Sequence, residues 1–125
     1  MLELKDLNVF YGAIHALKGV SLTVGDGELV SLIGANGAGK TTTLHTISGL
    51  LRASSGSVTL DGADLQKAAP NTVINLGLAH VPEGRHVFAR MSVEENLLMG
   101  AYILRDQKKI AANLDMVYQH FPRLR

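Results

Sequence analysis

A chain of 125 residues, 46% hydrophobic and 18% charged, has the size and composition of one folded domain and lies far from disordered or coiled-coil sequences. No cysteine is present, which rules out disulfides and thiolate metal sites and fits a reducing compartment. The net charge of +1 divides into a slightly acidic stretch 1–84 and a slightly basic stretch 85–125, and no basic run is interleaved with aromatics, which argues against a nucleic-acid partner.

The start, Met1-Leu2-Glu3-Leu4-Lys5-Asp6, has no apolar run behind a basic segment, and no later stretch approaches the ~18 apolar residues of a bilayer span. The chain is expected to be neither secreted nor membrane-spanning. Apolar residues alternate at Leu2, Leu4, then Leu7, Val9, and again at Val20, Leu22, Val24, the period of half-buried strands, so the first portion reads as an antiparallel sheet. After the Gly25-Asp26-Gly27 turn, Glu28 to Ile33 is nearly all apolar, as in a strand covered on both faces. Beyond Gly39 the spacing of Leu44, Ile47 and Leu51 is helical and ends near Ala53 to Gly56.

Ser57 to Leu60 reads as another strand, running into the Asp61-Gly62 turn signal. Val73 to Leu76 reads as a short helix, Leu78 to Val81 as a further buried strand, and Pro82 to Met91 as a loop. Ser92-Val93-Glu94-Glu95 has the pattern of a capping box, followed by the helical stripe Val93, Leu97, Ala101, Leu104. A final helix carries Ile110, Leu114, Val117 and Phe121. No internal repeat or low-complexity segment interrupts this order.

Gly34-Ala35-Asn36-Gly37-Ala38-Gly39-Lys40-Thr41 matches the eight-residue phosphate-binding P-loop and lies between the apolar strand and the helix, the context that such a loop requires. Its glycines let consecutive backbone amides turn inward toward a β-phosphate, and the positive end of the following helix adds to their attraction for anions. Lys40 supplies a point charge for the β- and γ-phosphates. The Thr41 hydroxyl is a hard oxygen suited to magnesium, and Thr42 adds a hydroxyl toward the α-phosphate.

Beyond the loop, the chain resembles ABC transporter nucleotide-binding domains along its whole length, and among them the ATP-binding subunits of branched-chain amino-acid importers. Leu7-Asn8-Val9-Phe10-Tyr11-Gly12, Ala16-Leu17 and Val20-Ser21-Leu22 are similar to the family's opening sheet. The resemblance places Tyr11 where an aromatic stacks on adenine; Phe10, on the alternate face of the strand, is expected in the core. Leu76 to Arg85 followed by Val93-Glu94-Glu95-Asn96-Leu97 is similar to the branched-chain type. There Glu83 stands where the family carries a glutamine that contacts magnesium and the attacking water; its carboxylate is still an oxygen ligand. Arg85, His86 and Arg90 lie where family members meet the membrane subunit, and each is equally readable as an exposed basic residue. His15, His45, His80 and His120 show no metal-ligand spacing.

The resemblance implies an α/β P-loop NTPase fold of ABC type, truncated, with an N-terminal antiparallel sheet, a P-loop core and the start of a helical subdomain. Residues 1–84 would form the sheet and core, and 85–125 the loop and helical start. It also implies ATP and Mg2+ as cofactors, a second ATP-binding subunit and transmembrane permease subunits as partners, and a cytoplasmic position on the inner face of the membrane. The family's Ser-Gly-Gly signature, its apolar strand ending in Asp-Glu (Walker B) and its switch histidine are not found among these residues; Ser55-Gly56 lacks the second glycine. The function that the resemblance implies is that of an importer's ATPase subunit coupling ATP binding and hydrolysis to transport of branched-chain amino acids, with weak binding and negligible turnover expected for this chain by itself. Urea or another amide as cargo, and a non-catalytic nucleotide-binding interaction module, remain alternatives. A P-loop kinase or GTPase would need a phosphoacceptor site or a guanine-reading segment, for which no candidate is found.

Overall fold

The structure, a computed structural model, covers residues 1–125 and divides into two compact units, Met1–His80 and Val81–Arg125. The first unit is built on a four-stranded antiparallel sheet ordered β2-β1-β3-β4, from β1 (Leu2–Tyr11), β2 (Ile14–Val24), β3 (Ser55–Leu60) and β4 (Ala63–Asp64). Leu4 of β1 pairs with Leu22 of β2 on one side and Val58 of β3 on the other. The expected opening sheet is therefore present, with one departure from simple alternation. Leu4 and Leu7 are both buried although three residues apart, because Asp6 at φ 44 forms a bulge that shifts the phase of the strand.

That bulge meets Gly56 of β3. A Cβ there would lie 2.4 Å from the carbonyl oxygen of Asp6 and 2.6 Å from that of Lys5, and Gly56 has φ +88, so the close approach of β1 and β3 requires glycine. The β3–β4 hairpin closes on Asp61 (φ 48) and Gly62 (φ 83), the pair of positive φ values that a two-residue type I′ turn needs.

One side of the sheet packs on helix α1 (Lys40–Ile47) and helix α2 (Pro70–Asn75) around Leu4, Leu7, Val9, Leu17, Ile47, Val58, Leu65 and Val73. Helix α1 buries Thr43, Thr46 and Ile47, whereas Leu44 of the expected stripe is half exposed. The two threonine hydroxyls are satisfied by the carbonyls of Gly39 (2.8 Å) and Thr42 (2.7 Å), one turn back, so this face needs no outside partner.

Two expected strands are corrected. Glu28 to Ile33 enters no ladder, and Leu29 and Ile33 are 97% and 92% exposed. Leu78 to Val81 likewise forms no strand, with Val81 exposed. Both are apolar on both faces, a pattern that becomes a strand only with neighbours on either side, and the sheet of this unit offers them none.

In the second unit, the loop Val81–Met91 leads to helix α3 (Val93–Met99) and then helix α4 (Gln107–His120). The capping box is formed: Glu95 N–H donates to Ser92 Oγ (3.1 Å) and Ser92 N–H to Glu95 Oε2 (2.7 Å). Asn96 fastens the loop by accepting from Phe88 N–H (2.8 Å) and donating to the carbonyls of Phe88 (3.1 Å) and Ser92 (2.8 Å). Leu97, Ala101 and Leu104 share an apolar cleft of about 340 Å³ with Ile110, Leu114 and Val117. Val93 and Phe121, assigned to the same stripes, are exposed; Phe121 lies past the last turn of α4, where the 3.6-residue period no longer applies.

Candidate functional site

The Gly34–Thr41 loop joins the unpaired segment to α1. Ala38 N–H donates to the Ala35 carbonyl (3.1 Å), curling the loop, and Gly39 ends it in a left-handed conformation at φ 99. A side chain at Gly39 would place its Cβ 2.7 Å from Leu17 Cδ2 in the core, so glycine here lets the loop close against the sheet. No side chain caps α1 and no acidic residue stands in its first turn. The first-turn amides and the positive helix end therefore remain available to an anion.

Lys40 folds back over this loop. Its Nζ donates to the carbonyls of Gly34 and, at 2.8 Å, Ala35. The ammonium thus lies on the loop's own backbone, where it can exchange carbonyl oxygens for oxygens of greater charge.

Beside the loop is a cavity of about 410 Å³. The loop and helix contribute Asn36, Gly37, Gly39, Lys40, Thr41 and Thr42; the β1–β2 hairpin contributes Tyr11, Ile14, His15 and Ala16. Tyr11 is 46% exposed and its hydroxyl lies 3.3 Å from Thr42 Oγ1, joining the hairpin to the first turn of α1. Of the residues singled out in the sequence, Tyr11, Asn36, Gly37, Gly39, Lys40, Thr41 and Thr42 face one cavity, while Gly34, Ala35 and Ala38 build the loop behind it. Glu83 belongs to the second unit, on an exposed bend, as do Arg85, His86 and Arg90.

Phe10 is a correction. It is 46% exposed and stacks on His15 with ring centroids 4.2 Å apart and planes 8° from parallel. The Asp6 bulge between Leu4 and Leu7 shifts the phase set by Leu2 and Leu4, so that Leu7 and Val9 point inward and Phe10, next to Val9, points outward. Ile14, His15 and Ala16 were missed because no strand period marks a wall formed by a hairpin's return arm; only the pairing of Tyr11 with Ile14 and of Phe10 with His15 brings them there.

A loop of this form at the N-terminus of a helix is shared by many phosphate-binding folds, and the identity of the chain comes from its whole length. The profile of the ABC transporter family matches residues 17–123. The chain belongs to the ABC transporter family. The high-affinity branched-chain amino acid transport ATP-binding protein BraG of Pseudomonas aeruginosa is 45% identical to this cassette over its full 125 residues, which correspond to 53% of BraG. The lipopolysaccharide export system ATP-binding protein LptB of Haemophilus influenzae is 35% identical over 85% of this cassette and 44% of its own length. A solved structure of the ATP-binding subunit of an ABC transporter superposes with a TM-score of 0.87, at 34% identity, over 99% of this cassette and 51% of that chain. The chain thus spans about half the length of the relatives it matches. Its fold is that of the family, an α/β cassette whose antiparallel sheet draws β1 and β2 from before the P-loop and β3 and β4 from after it.

Proposed function

We propose that this cassette binds ATP with Mg2+ at the cavity beside the Gly34–Thr41 loop, as part of an importer subunit that couples ATP binding and hydrolysis to uptake of branched-chain amino acids. The observation that carries the reading is the uncapped start of α1, with Lys40 folded over the loop and Tyr11 opposite Thr42 across one cavity. Phosphate oxygens take the place of the Gly34 and Ala35 carbonyls as partners of Lys40. The loop from Gly34 through Gly39 offers backbone amides, Thr42 adds a hydroxyl, and Tyr11 presents a ring face to the base. The Thr41 hydroxyl supplies an oxygen ligand for magnesium, which when bound would neutralise charge on the transferring phosphate, and Glu83 is assigned to magnesium from its place in the sequence alone. Lys40 and Glu83 are the residues assigned to the reaction itself, and residues 1–84 and 85–125 are assigned to the sheet-and-loop core and to the helical start.

Branched-chain amino acids are favoured as cargo by the likeness to BraG, which covers the whole chain at higher identity than the likeness to LptB. Urea or another amide is the second reading of the cargo, since other subunits read it; a non-catalytic nucleotide-binding module is the second reading of the activity. The proposed partners are a second ATP-binding subunit and transmembrane permease subunits, and the proposed place is the cytoplasmic face of the membrane. No helix here is long and apolar enough to cross it.

The test is titration of a fluorescent ATP analogue with magnesium into this chain and into Lys40→Ala, after circular dichroism shows both folded. Saturable binding lost by at least tenfold in Lys40→Ala is the expected result, with no turnover above the Lys40→Ala level. Equal binding by the two proteins would remove the P-loop reading, and turnover by the wild type alone would overturn the expectation that these 125 residues do not hydrolyse ATP unaided.

A further inference from the structure

We propose that His15 is a specificity-determining residue of the nucleotide cavity, its Nδ1 accepting a hydrogen bond from a donor on the nucleoside part of the ligand; this rests on the nucleotide reading above. The first step is the tautomer. Asn8 Nδ2 donates to the Asp6 carbonyl at 2.9 Å, which fixes the side-chain amide, and Oδ1 accepts from Gly19 N–H at 3.1 Å. His15 Nε2 is 2.9 Å from that same Oδ1, an atom with no hydrogen to give. Nε2 is therefore the protonated nitrogen, and in the neutral ring Nδ1 is left with a bare lone pair.

The second step is what meets that lone pair. No protein group hydrogen-bonds Nδ1, and no buried side-chain nitrogen or oxygen of the chain lacks a partner, so Nδ1 reaches solvent. The ring is also held in place, bonded at Nε2 and lying flat on Phe10. An acceptor fixed in this way loses little freedom when a ligand engages it.

The third step is which part of the ligand arrives there. Lys40 and the free amides belong to the loop side of the cavity, which suits the anionic phosphates. The hairpin side is formed by Tyr11, Ile14, His15 and Ala16 and carries no full positive charge of Lys or Arg. It suits the nucleoside. The Tyr11 hydroxyl already has a partner in Thr42 Oγ1, whereas His15 Nδ1 has none among the protein's groups. The matching donor is either the exocyclic amine of adenine or a ribose hydroxyl.

Calorimetric titration of the magnesium complexes of ATP, inosine triphosphate, 2′-deoxy-ATP and 3′-deoxy-ATP separates these sources. The analogues lack the amine or one hydroxyl, respectively. The wild type is expected to favour ATP over one analogue about fivefold, the scale of one net hydrogen bond. His15→Phe keeps the flat ring and removes both nitrogens. It is expected to weaken ATP binding about fivefold and erase that one preference, with circular dichroism showing the variant folded at the temperature of the titration. Undiminished ATP affinity in His15→Phe, or a loss that leaves every preference intact, overturns the assignment of His15 while Lys40→Ala still shows the P-loop to be at work. A folded wild type that binds no nucleotide removes both readings. Should His15→Phe fail to fold, the nitrogen-15 resonance of Nδ1 in the wild type decides: it should move when ATP is added and stay when tripolyphosphate is added, and the reverse overturns the proposal.

Discussion

Two apolar segments of the first unit lie close in sequence and differ completely in structure. Strand β1 is paired on both edges, and its Leu7 is fully buried; Glu28 to Ile33, the more uniformly apolar of the two, enters no ladder and leaves Leu29 97% exposed. The difference lies in where the partners are. β1 finds β2 across a two-residue turn, and β3 returns antiparallel on its other edge after the P-loop and α1, so both of its edges are paired within this sheet. A run covered on both faces belongs to a parallel arrangement whose neighbours arrive from crossover connections, and this sheet holds no such neighbour. Hydrophobicity alone thus says that a segment is to be covered, while pairing decides whether it is.

The largest expected effect breaks the paired region at its tightest point. Gly56→Ala places a Cβ at 2.4–2.6 Å from the carbonyl oxygens of Asp6 and Lys5, at a φ that side chains rarely adopt. Backbone atoms cannot step aside as a flexible side chain does, so β1 and β3 must separate. A destabilisation of about 3 kcal/mol or more is expected, measured by urea denaturation. A loss below about 1 kcal/mol would mean that the two strands are not held at this distance.

A pair of leucine substitutions sharpens the contrast. Leu7→Ala removes a fully buried side chain from the core and is expected to cost about 2–5 kcal/mol, whereas Leu29→Ala is expected to stay within about 0.5 kcal/mol because its side chain is already in water. Equal losses at the two sites, in the same denaturation experiment, would show that Glu28 to Ile33 is covered in solution. Leu29→Ala is also expected to improve solubility, since an unpaired apolar segment is a template for association.

The same physics separates what the sequence makes legible from what it does not. The P-loop, the Ser92 capping box and the Asp61-Gly62 turn are readable because each is specified within a few residues: a hydroxyl and a carboxylate three apart, or two residues at positive φ. The Gly34–Thr41 site is readable for the same reason, since its glycines, Lys40 and Thr41 are consecutive. His15 is not, because its place in the cavity depends on the register of β1 against β2 and its orientation on Asn8, seven residues away. Phe10 and Leu44 were misplaced by assuming unbroken periods, which bulges in β1 and the threonine-lined face of α1 both violate.

The smallest expected effect lies at the point where the paired sheet gives way to the unpaired segment. The Met1 ammonium donates to Asp26 at 2.8 Å and to Asp61, tying the turn before Glu28 to the β3–β4 turn. The hydrogen bond it donates to Asp26 and then that to Asp61 hold the ammonium above its ordinary value of 8.0, and the bond from the ammonium followed by its charge holds the Asp26 carboxyl below 3.8. For the ammonium, raised on folding, the contribution to stability is complete below pH 8.0 and is lost as pH rises through the folded value. For Asp26, depressed on folding, it is present above pH 3.8 and is lost as pH falls through the folded value. Between those limits the clamp is intact, yet all its groups are at the surface and screened by water and salt. Asp26→Asn is therefore expected to lower the melting temperature at pH 6 by less than Leu7→Ala does, with the difference from wild type shrinking as pH rises through the raised folded value of the ammonium, and in 1 M salt. A difference that persists unchanged in high salt would mean that Asp26 acts through the geometry of its turn, and the junction between the two regions would then be held by backbone conformation instead of charge.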